Sequence, residues 1–213
     1  MARANVQIVF DDTDNTIFEY DRVNGLKSFS IVSEGKANEG IDYSMKANTG
    51  ELSAIDISPS LNSKYDSLYN FLLQKVSYNE IKINVILDEK LIAHFVNNGR
   101  INYNTNTKTF KVNYQSNLVK LQDRNFKFQI DKGNINAGYT AKDIYTLLKS
   151  KSEPIIGQEF YIDSETINYL DSIVIAYPYL EETTLWEQWN KLCILAQLSI
   201  YPKDNKIYVK RWI

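Results

Sequence analysis

Residues 81–122 read IKINVILDEKLIAHFVNNGRINYNTNTKTFKVNYQSNLVKLQ, and this stretch decides the fold. Side chains alternate with a period of two in three successive runs, which is the pattern of half-buried strands. The runs carry Ile81, Ile83, Val85 and Leu87, then Ile92, His94 and Val96, then Phe110, Val112 and Tyr114. Polar turns separate the runs, at Asp88-Glu89-Lys90 and at the strong turn dipeptide Asn98-Gly99. The stretch therefore predicts an antiparallel meander of the kind found in barrels and sandwiches.

The chain before this stretch carries the same pattern. We predict strands at Asn5–Phe10, Thr16–Tyr20, Ser28–Val32, Ile41–Lys46 and residues 52–57. One helix interrupts them at about residues 60–75, because four apolar residues share one helical face after Ser58-Pro59. These four are Leu61, Tyr65, Leu68 and Leu72. The strand pattern ends at Ile130, so we predict an antiparallel β-barrel or sandwich domain over residues 1–130, with one helix near 60–75.

From residue 131 onward, helix signals alternate with short strands. Thr140-x-x-Asp143 and Thr184-x-x-Glu187 have the spacing of capping boxes that begin helices. The second helix has one buried stripe, formed by Leu185, Trp189, Leu192 and Ala196. Asp204-Asn205 turns a final hairpin. We predict a smaller α+β unit over residues 131–213, and the apolar ending at Trp212-Ile213 leaves open whether it continues. The whole fold class is mainly β with a few helices.

Composition excludes several classes of function. The 24 lysines and arginines against 26 aspartates and glutamates give a net charge of −2. Binding to nucleic acid or to an anionic membrane calls for a basic excess, so we expect neither partner. His94 and Cys193 are the single histidine and cysteine, so a disulfide framework or a zinc site with several histidines is excluded. The N-terminus lacks the apolar core of a secretory signal, and we expect assembly in the cytoplasm.

No pattern of residues indicates catalysis, a cofactor or a metal. His94 lies in an alternating strand and is expected to be a core or semi-buried histidine with one hydrogen-bond partner, and Cys193 lies beside the buried helical stripe. Asp11, Asp12 and Asp14 could gather on calcium, but the EF-hand spacing is absent and a solvated turn is favoured. Gly35-Lys36 lacks the second glycine and the Ser or Thr of a phosphate loop. We therefore assign no catalytic, cofactor-binding or metal residues.

Two stretches together resemble a known family. They are Ile41–Ile57, IDYSMKANTGELSAIDI, and the meander at 81–122 described above. This pattern resembles the N-terminal β-barrel of tailed-phage baseplate and tail hub proteins, although Ser116-Asn117-Leu118 departs from their usual Asp-x-Leu. YPYLEETTLW at 177–186 and IYPKDNKIYV at 200–209 look like a second unit of the same proteins, with Asn205-Lys206 in place of a glycine turn.

The resemblance implies a non-enzymatic virion protein of the phage tail, baseplate or tail hub. Such a protein would form a homo-oligomeric ring that connects the tail tube to the tip, with tail-tube, tape-measure and other baseplate proteins as partners. Central hubs and distal tail rings share the same barrel. Two other classes stay open. One is a carbohydrate-binding or host-surface module that uses exposed Tyr and Trp, with Trp186 and Trp212 as candidates because Trp189 is expected in the core, and the other is a hydrolase that uses two carboxylates.

Overall fold

The structure is a computed structural model that describes residues 4–10, 16–33, 43–57, 61, 65–74, 81–97, 101–127, 139–175 and 182–211. The described residues form two compact units. The first lies within residues 1–34 and 48–117, and the second within 35–47 and 118–213. The predicted class, mainly β with a few helices, is confirmed. Residues 128–138, which include the predicted domain boundary, lie outside the described part of the chain.

The described strands of the first unit form one antiparallel sheet of eight strands that curls into a half-barrel. Its strands are β1 Ala4–Phe10, β2 Thr16–Tyr20, β3 Leu26–Ser33, β4 Asn48–Ile55, β5 Ile81–Leu87, β6 Lys90–Asn97, β7 Asn102–Asn104 and β8 Thr109–Ser116. They lie in the order β2-β1-β5-β6-β8-β4-β3, and β7 also pairs with β8. The hairpin predicted at Asp88-Glu89-Lys90 is confirmed, since β5 pairs with β6 and Leu87 lies opposite Lys90.

Alternation of side chains places the core of this unit on the concave face of the sheet. On β8, Phe110, Val112 and Tyr114 are buried, whereas Lys111 and Asn113 between them are exposed. Strand β5 follows the same rule, with its odd-numbered residues 81, 83 and 85 buried. Because a strand points successive side chains to opposite faces, this sequence pattern fixes which face carries the core.

A short helix, α1 (Leu68–Gln74), packs against the concave face through the buried residues Leu68 and Phe71. It begins later than the sequence pattern suggested. The Ser67 hydroxyl accepts a 3.2 Å hydrogen bond from the backbone N–H of Asn70, so Ser67 caps the helix. Leu61 lies outside the helix and is exposed, and its backbone N–H donates to the carbonyl of Ile17 on β2.

Gly50 on β4 leaves room for an aromatic ring from β8 to lie over β4 and reach β3. The ring of Tyr114 on β8 lies over Gly50, and its hydroxyl donates a 2.5 Å hydrogen bond to the carbonyl of Ser30 on β3. A Cβ atom at position 50 would overlap both the ring and that carbonyl. The tyrosine covers the glycine and ties together three neighbouring strands.

In the second unit, the described residues form three small sheets and three α-helices. Its elements are β9 Asn125–Lys127, β10 Tyr139–Thr140, α2 Ala141–Ile156, β11 Phe160–Ile162, α3 Ser164–Ser172, β12 Val174–Ile175, β13 Glu182–Thr184, α4 Leu185–Ala196, β14 Leu198–Lys203 and β15 Lys206–Arg211. A 3-10 helix at Asn117–Leu121 precedes β9. The largest of the three sheets has the order β11-β15-β14, in which β11 runs parallel to β15 and β14 antiparallel.

Both predicted capping boxes are confirmed. The Thr140 hydroxyl accepts from the Asp143 N–H and the Asp143 carboxylate accepts from the Thr140 N–H, so α2 begins with two satisfied donors. Thr184 and Glu187 make the same reciprocal pair at the start of α4. The helix α2 ends at Gly157, whose positive φ of 66° suits the left-handed cap conformation.

The core of the second unit is built around Trp189, which is fully buried. Its ring stacks on Phe160 of β11 with centroids 4.6 Å apart, and its Nε1 donates a 2.8 Å hydrogen bond to the buried Ser152 hydroxyl of α2. The helix α4 is thereby joined to both the sheet and α2. The predicted stripe of Leu185, Trp189, Leu192 and Ala196 is buried as expected.

Candidate functional site

The two residues that could have formed a nucleophilic pair are held in structural roles. His94 lies on β6 in the first unit, where its Nδ1 is 2.5 Å from the amide oxygen of Asn84 on β5. It is half-buried, and its side chain alternates with that of the buried Phe95. Cys193 lies in α4 of the second unit and is fully buried in the apolar core. Within the described residues, no group of three or more His, Cys, Asp or Glu side chains could hold a metal ion.

The other sequence candidates divide into two groups. Asp11, Asp12, Asp14, Gly35-Lys36 and Trp212 lie outside the described residues. Trp186 and Trp189 are both described, and neither lies flat on an open surface: Trp189 is buried, and Trp186 is half-buried against the core of the second unit. The aromatic platform that a sugar-binding module would need is therefore not formed by these two tryptophans.

A buried carboxylate that the sequence analysis did not single out organises the first unit. Asp56, only 9% exposed, accepts hydrogen bonds from the Tyr103 hydroxyl at 2.7 Å and from the Tyr20 hydroxyl at 3.3 Å. It also accepts from the backbone N–H of Leu68 at 3.3 Å, at the first residue of α1. Burial, together with this carboxylate, raises the pKa values of Tyr20 and Tyr103 well above the ordinary value. In the sequence, the position of Asp56 within the predicted strand at residues 52–57 is the feature that could have indicated a buried carboxylate.

The edges of the sheets decide where another chain could add a strand, because edge strands carry unpaired backbone groups. On β11, the Phe160 N–H donates to the Glu153 carboxylate at 2.8 Å, and the Phe160 carbonyl accepts from Lys149 Nζ at 3.1 Å. Lys149 and Glu153 also form an ion pair at 3.6 Å along α2. These two side chains occupy the backbone groups that an added strand would use.

The edge of β14 is covered by the segment that enters the second unit from between β3 and β4. Met45 pairs with Ile200 in a parallel bridge. The Ile200 N–H donates to the Ser44 carbonyl at 3.1 Å, and its carbonyl accepts from the Lys46 N–H at 2.7 Å. Asn190 of α4 holds the segment in place by accepting a 2.8 Å hydrogen bond from the Met45 N–H.

In the first unit the two edges of the half-barrel differ. The β2 edge is partly occupied, because the Ile17 carbonyl accepts a 2.7 Å hydrogen bond from the Leu61 N–H. Strand β3, eight residues long, pairs with β4 on one side, and within the described chain no strand pairs with its other side. After an irregularity between Leu26 and Ser28, its register with β4 is regular to Ser33. The β3 edge is therefore the candidate assembly site.

A polar depression of about 380 Å³ lies on the outward side of the same sheet, next to β3. Lys27, Ser53, Asn102, Thr109 and Lys111 contribute to its lining. Lys111 forms a 2.6 Å ion pair with Glu51 one row away, and both side chains are about half exposed. The depression offers polar and cationic groups at the surface, and none of the described residues that line it is an acid or a histidine.

The half-barrel followed by a small α+β unit is the architecture of phage tail proteins of known structure. The chain has a TM-score of 0.54 and 11% identity to the tail protein from Neisseria meningitidis MC58, covering 97% of this chain and 50% of that one. For the 43 kDa tail protein of prophage MuSo2 from Shewanella oneidensis, the TM-score is 0.52 and the identity 9%, and the match covers 99% of this chain and 56% of that one. For prophage tail protein gp18 from Listeria monocytogenes EGD-e, the TM-score is 0.55 and the identity 10%, and the match covers 97% of this chain and 50% of that one.

The likeness to these tail proteins is therefore one of fold, since the sequences are almost unrelated. The chain spans about half the length of each solved structure. No protein-family profile matches the chain, and no curated protein sequence matches it. Among the described residues, no helix is long and apolar enough to cross a membrane.

Proposed function

We propose that this chain is a non-enzymatic structural component of a phage tail tip, of the baseplate or tail hub class, located in the virion tail after assembly in the host cytoplasm. The observation that carries this proposal is the fold similarity to three tail proteins over 97–99% of the chain. The role of the groups that could have acted in catalysis supports it, because His94 packs in a strand and Cys193 in a core.

The proposed assembly is a homo-oligomeric ring in which the β3 edge of one protomer adds to a different surface of the next. Repeated contacts between unlike surfaces close into a ring when the rotation between protomers allows it. The β11 and β14 edges are occupied by contacts within the chain, whereas β3 keeps unpaired backbone groups within the described chain. Ring subunits would meet the tail tube on one side and tape-measure or other baseplate proteins on the other.

A charge placed on the β3 edge tests the proposed interface. Ser30, Glu51 and Asn113 lie in one cross-strand row of β3, β4 and β8, and both Ser30 and Asn113 are exposed. Ser30→Lys adds a lysine at the edge, where charged side chains oppose strand addition. Asn113→Lys adds the same charge two strands further in and serves as the matched control.

We expect size-exclusion chromatography with light scattering to show an oligomer for the unmodified chain and for Asn113→Lys, and a monomer for Ser30→Lys. Equal oligomers for all three chains would refute β3 as the interface. Co-expression with the tail-tube and tape-measure proteins of the same phage tests the tail function separately. A chain that stays monomeric and joins no tail particle under co-expression would refute the proposed function itself.

A further inference from the structure

The polar depression on the outward face of the half-barrel is lined by side chains of four neighbouring strands. Asn102, Lys111 and Ser53 form one cross-strand row of β7, β8 and β4, and Lys27 of β3 lies beside the end of that row. The volume of about 380 Å³ is near the lower limit of pockets that hold small molecules, which is roughly 300 Å³. The depression therefore has room for one small polar ligand.

Lys27 owes its position to an irregularity in the pairing of β3 with β4. Leu26 lies opposite Ala54 and Ser28 lies opposite Ser53, so Lys27 between them has no partner residue on β4. An extra residue of this kind re-aims a side chain, and such irregularities are common at sheet edges and beside functional sites. The Lys27 side chain is exposed, and it makes no ion pair or hydrogen bond within the described chain.

Positive charge is in excess on this part of the sheet. Strands β3, β4, β7 and β8 together carry two lysines, Lys27 and Lys111, and one acid, Glu51. Glu51 pairs with Lys111 at 2.6 Å, so the charge of Lys27 is left unmatched on these four strands. The acids that flank the strands are engaged elsewhere, because Asp56 is buried and the Asp21 carboxylate accepts from two backbone N–H groups of its own turn.

The neutral side chains of the depression can both donate and accept hydrogen bonds. The Ser53 hydroxyl and the Asn102 amide make no hydrogen bond within the described chain. The Thr109 hydroxyl lies 2.7 Å from that of Thr107, and Asn104 Oδ1 accepts from two backbone N–H groups of the β7–β8 turn. Ser53 and Asn102 are therefore the neutral groups that are fully available to a ligand.

We propose that this depression binds a sugar acid, one acidic monosaccharide unit of a surface glycan, with the carboxylate on Lys27 and the ring hydroxyls on Ser53 and Asn102. Sugar hydroxyls both donate and accept, as the hydroxyl and the amide do, and a carboxylate accepts a strong hydrogen bond from an ammonium group. The site is separate from the tryptophans of the second unit. The inference goes beyond the tail function and does not depend on ring assembly.

The lining of the depression favours a single sugar unit over nucleic acid. A nucleic acid strand is held by several cations along a groove and by aromatic rings on which its bases stack. The depression has one unmatched ammonium group. Tyr103 and Phe110 also line it, but the Tyr103 ring contacts Tyr69 of α1 and Phe110 is buried, so neither ring is an open stacking surface.

The test is a titration of the full chain with galacturonate, followed by proton–nitrogen correlation NMR of the backbone amides. Galactose, which lacks the carboxylate, and acetate, which lacks the sugar ring, are titrated in parallel. We expect galacturonate to saturate with a Kd of about 1–10 mM, and the other two to bind about tenfold more weakly, because each loses one set of contacts. The shifted amides should lie in β3, β4, β7 and β8.

Two variants separate the charge from the neutral groups. Lys27→Gln should weaken galacturonate binding about tenfold and abolish the preference for galacturonate over galactose. Asn102→Ala should weaken the binding of both sugars. Lys90→Gln, in the β5–β6 hairpin, and Asn113→Ala, two residues beyond Lys111 on the same outward face, are the matched controls at exposed positions and should bind as the unmodified chain does.

Circular dichroism checks that each variant is folded. Unchanged binding by the folded Lys27→Gln variant, or no saturation by galacturonate at about 50 mM, would overturn the proposal. Equal affinity for acetate and galacturonate would replace the sugar site with a simple anion site, and equal affinity for galactose and galacturonate would remove Lys27 from it. None of these results bears on the fold similarity to tail proteins.

Discussion

The hydroxyl of Tyr103 donates a 2.7 Å hydrogen bond to Oδ2 of Asp56, and this pair joins β7 to the end of β4. The other carboxylate oxygen accepts from Tyr20 on β2 and from the N–H of Leu68 at the start of α1. One buried acid thus connects the strand next to β8, an edge strand and the only helix described in the first unit. Its loss would leave several donors without an acceptor.

Asp56→Asn is expected to lower the free energy of unfolding by about 1–3 kcal/mol, because an amide supplies one acceptor oxygen where the carboxylate supplied two. Tyr103→Phe removes one donor and is expected to cost about 1 kcal/mol. Urea unfolding followed by far-UV circular dichroism measures both, and the double variant should lose less than the sum, because the two groups share one bond. Strict additivity would show that the pair contributes nothing as a pair.

Gly50→Ala is expected to destabilise the first unit by about 2–3 kcal/mol, since the new methyl group would overlap the Tyr114 ring and the Ser30 carbonyl. Removing the ring should relieve the part of the clash that the ring makes, while the overlap with the Ser30 carbonyl remains. The pair Gly50→Ala, Tyr114→Val should therefore be less destabilised than the two single variants together. Urea midpoints of the four chains test this, and a Gly50→Ala variant as stable as the parent would contradict the ring-over-glycine packing.

High pH should weaken the fold partly through Tyr114. Burial raises the pKa of Tyr114 to about 12. Between pH 10 and 12 the unfolded chain loses this proton and the folded chain keeps it, so stability present below pH 10 falls as the pH rises.

The measurement is the free energy of unfolding at several pH values, for the parent and for Tyr114→Phe. The variant should show a shallower decline between pH 10 and 12, by up to about 1.4 kcal/mol per pH unit. Below pH 9 the two curves should run parallel, which serves as the internal control. Identical slopes above pH 10 would show that the Tyr114 phenol titrates alike in the folded and unfolded chains.

Local patterns predicted the elements whose cause is local. The capping boxes at Thr140 and Thr184 and the hairpins at 88–90 and 204–205 are set by residues within a few positions of one another, and all four are present. The capping box predicts where α2 begins but not where it ends; the helix continues to Ile156, because the buried residues Leu148, Ser152 and Ile156 keep the helical spacing and Pro154 lies in the last turn.

The features that the sequence did not predict depend on partners far along the chain. Met45 pairs with Ile200, and the Asp56 carboxylate accepts hydrogen bonds from the Tyr20 and Tyr103 hydroxyls. No local sequence pattern predicts either set of partners. The covering of the β11 edge is equally hard to predict, because Lys149 reaches the carbonyl of Phe160, eleven residues further along the chain. The candidate assembly edge was found only once the pairing of every described strand was known.

The turn between β5 and β6 offers a gain in stability. Asp88 and Glu89 have positive φ values of 47° and 65°, in a two-residue turn where glycine or asparagine is preferred at the second position. A glutamate there carries about 1–2 kcal/mol of backbone strain, which glycine removes. Glycine also raises the conformational entropy of the unfolded chain, and this offsets part of the gain in stability. Glu89→Gly should therefore raise the free energy of unfolding by about 0.5–1 kcal/mol.

The comparison variant is Asn205→Gly in the β14–β15 turn, where Asn205 has a φ of 61° and its Oδ1 accepts a 3.3 Å hydrogen bond from Gln158 Nε2. Asparagine tolerates the left-handed region better than glutamate, so this substitution should gain less than Glu89→Gly does. Urea midpoints of the two variants, each compared with the parent, decide the order. An equal or larger gain at position 205 would mean that strain at Glu89 does not limit the stability of the β5–β6 hairpin.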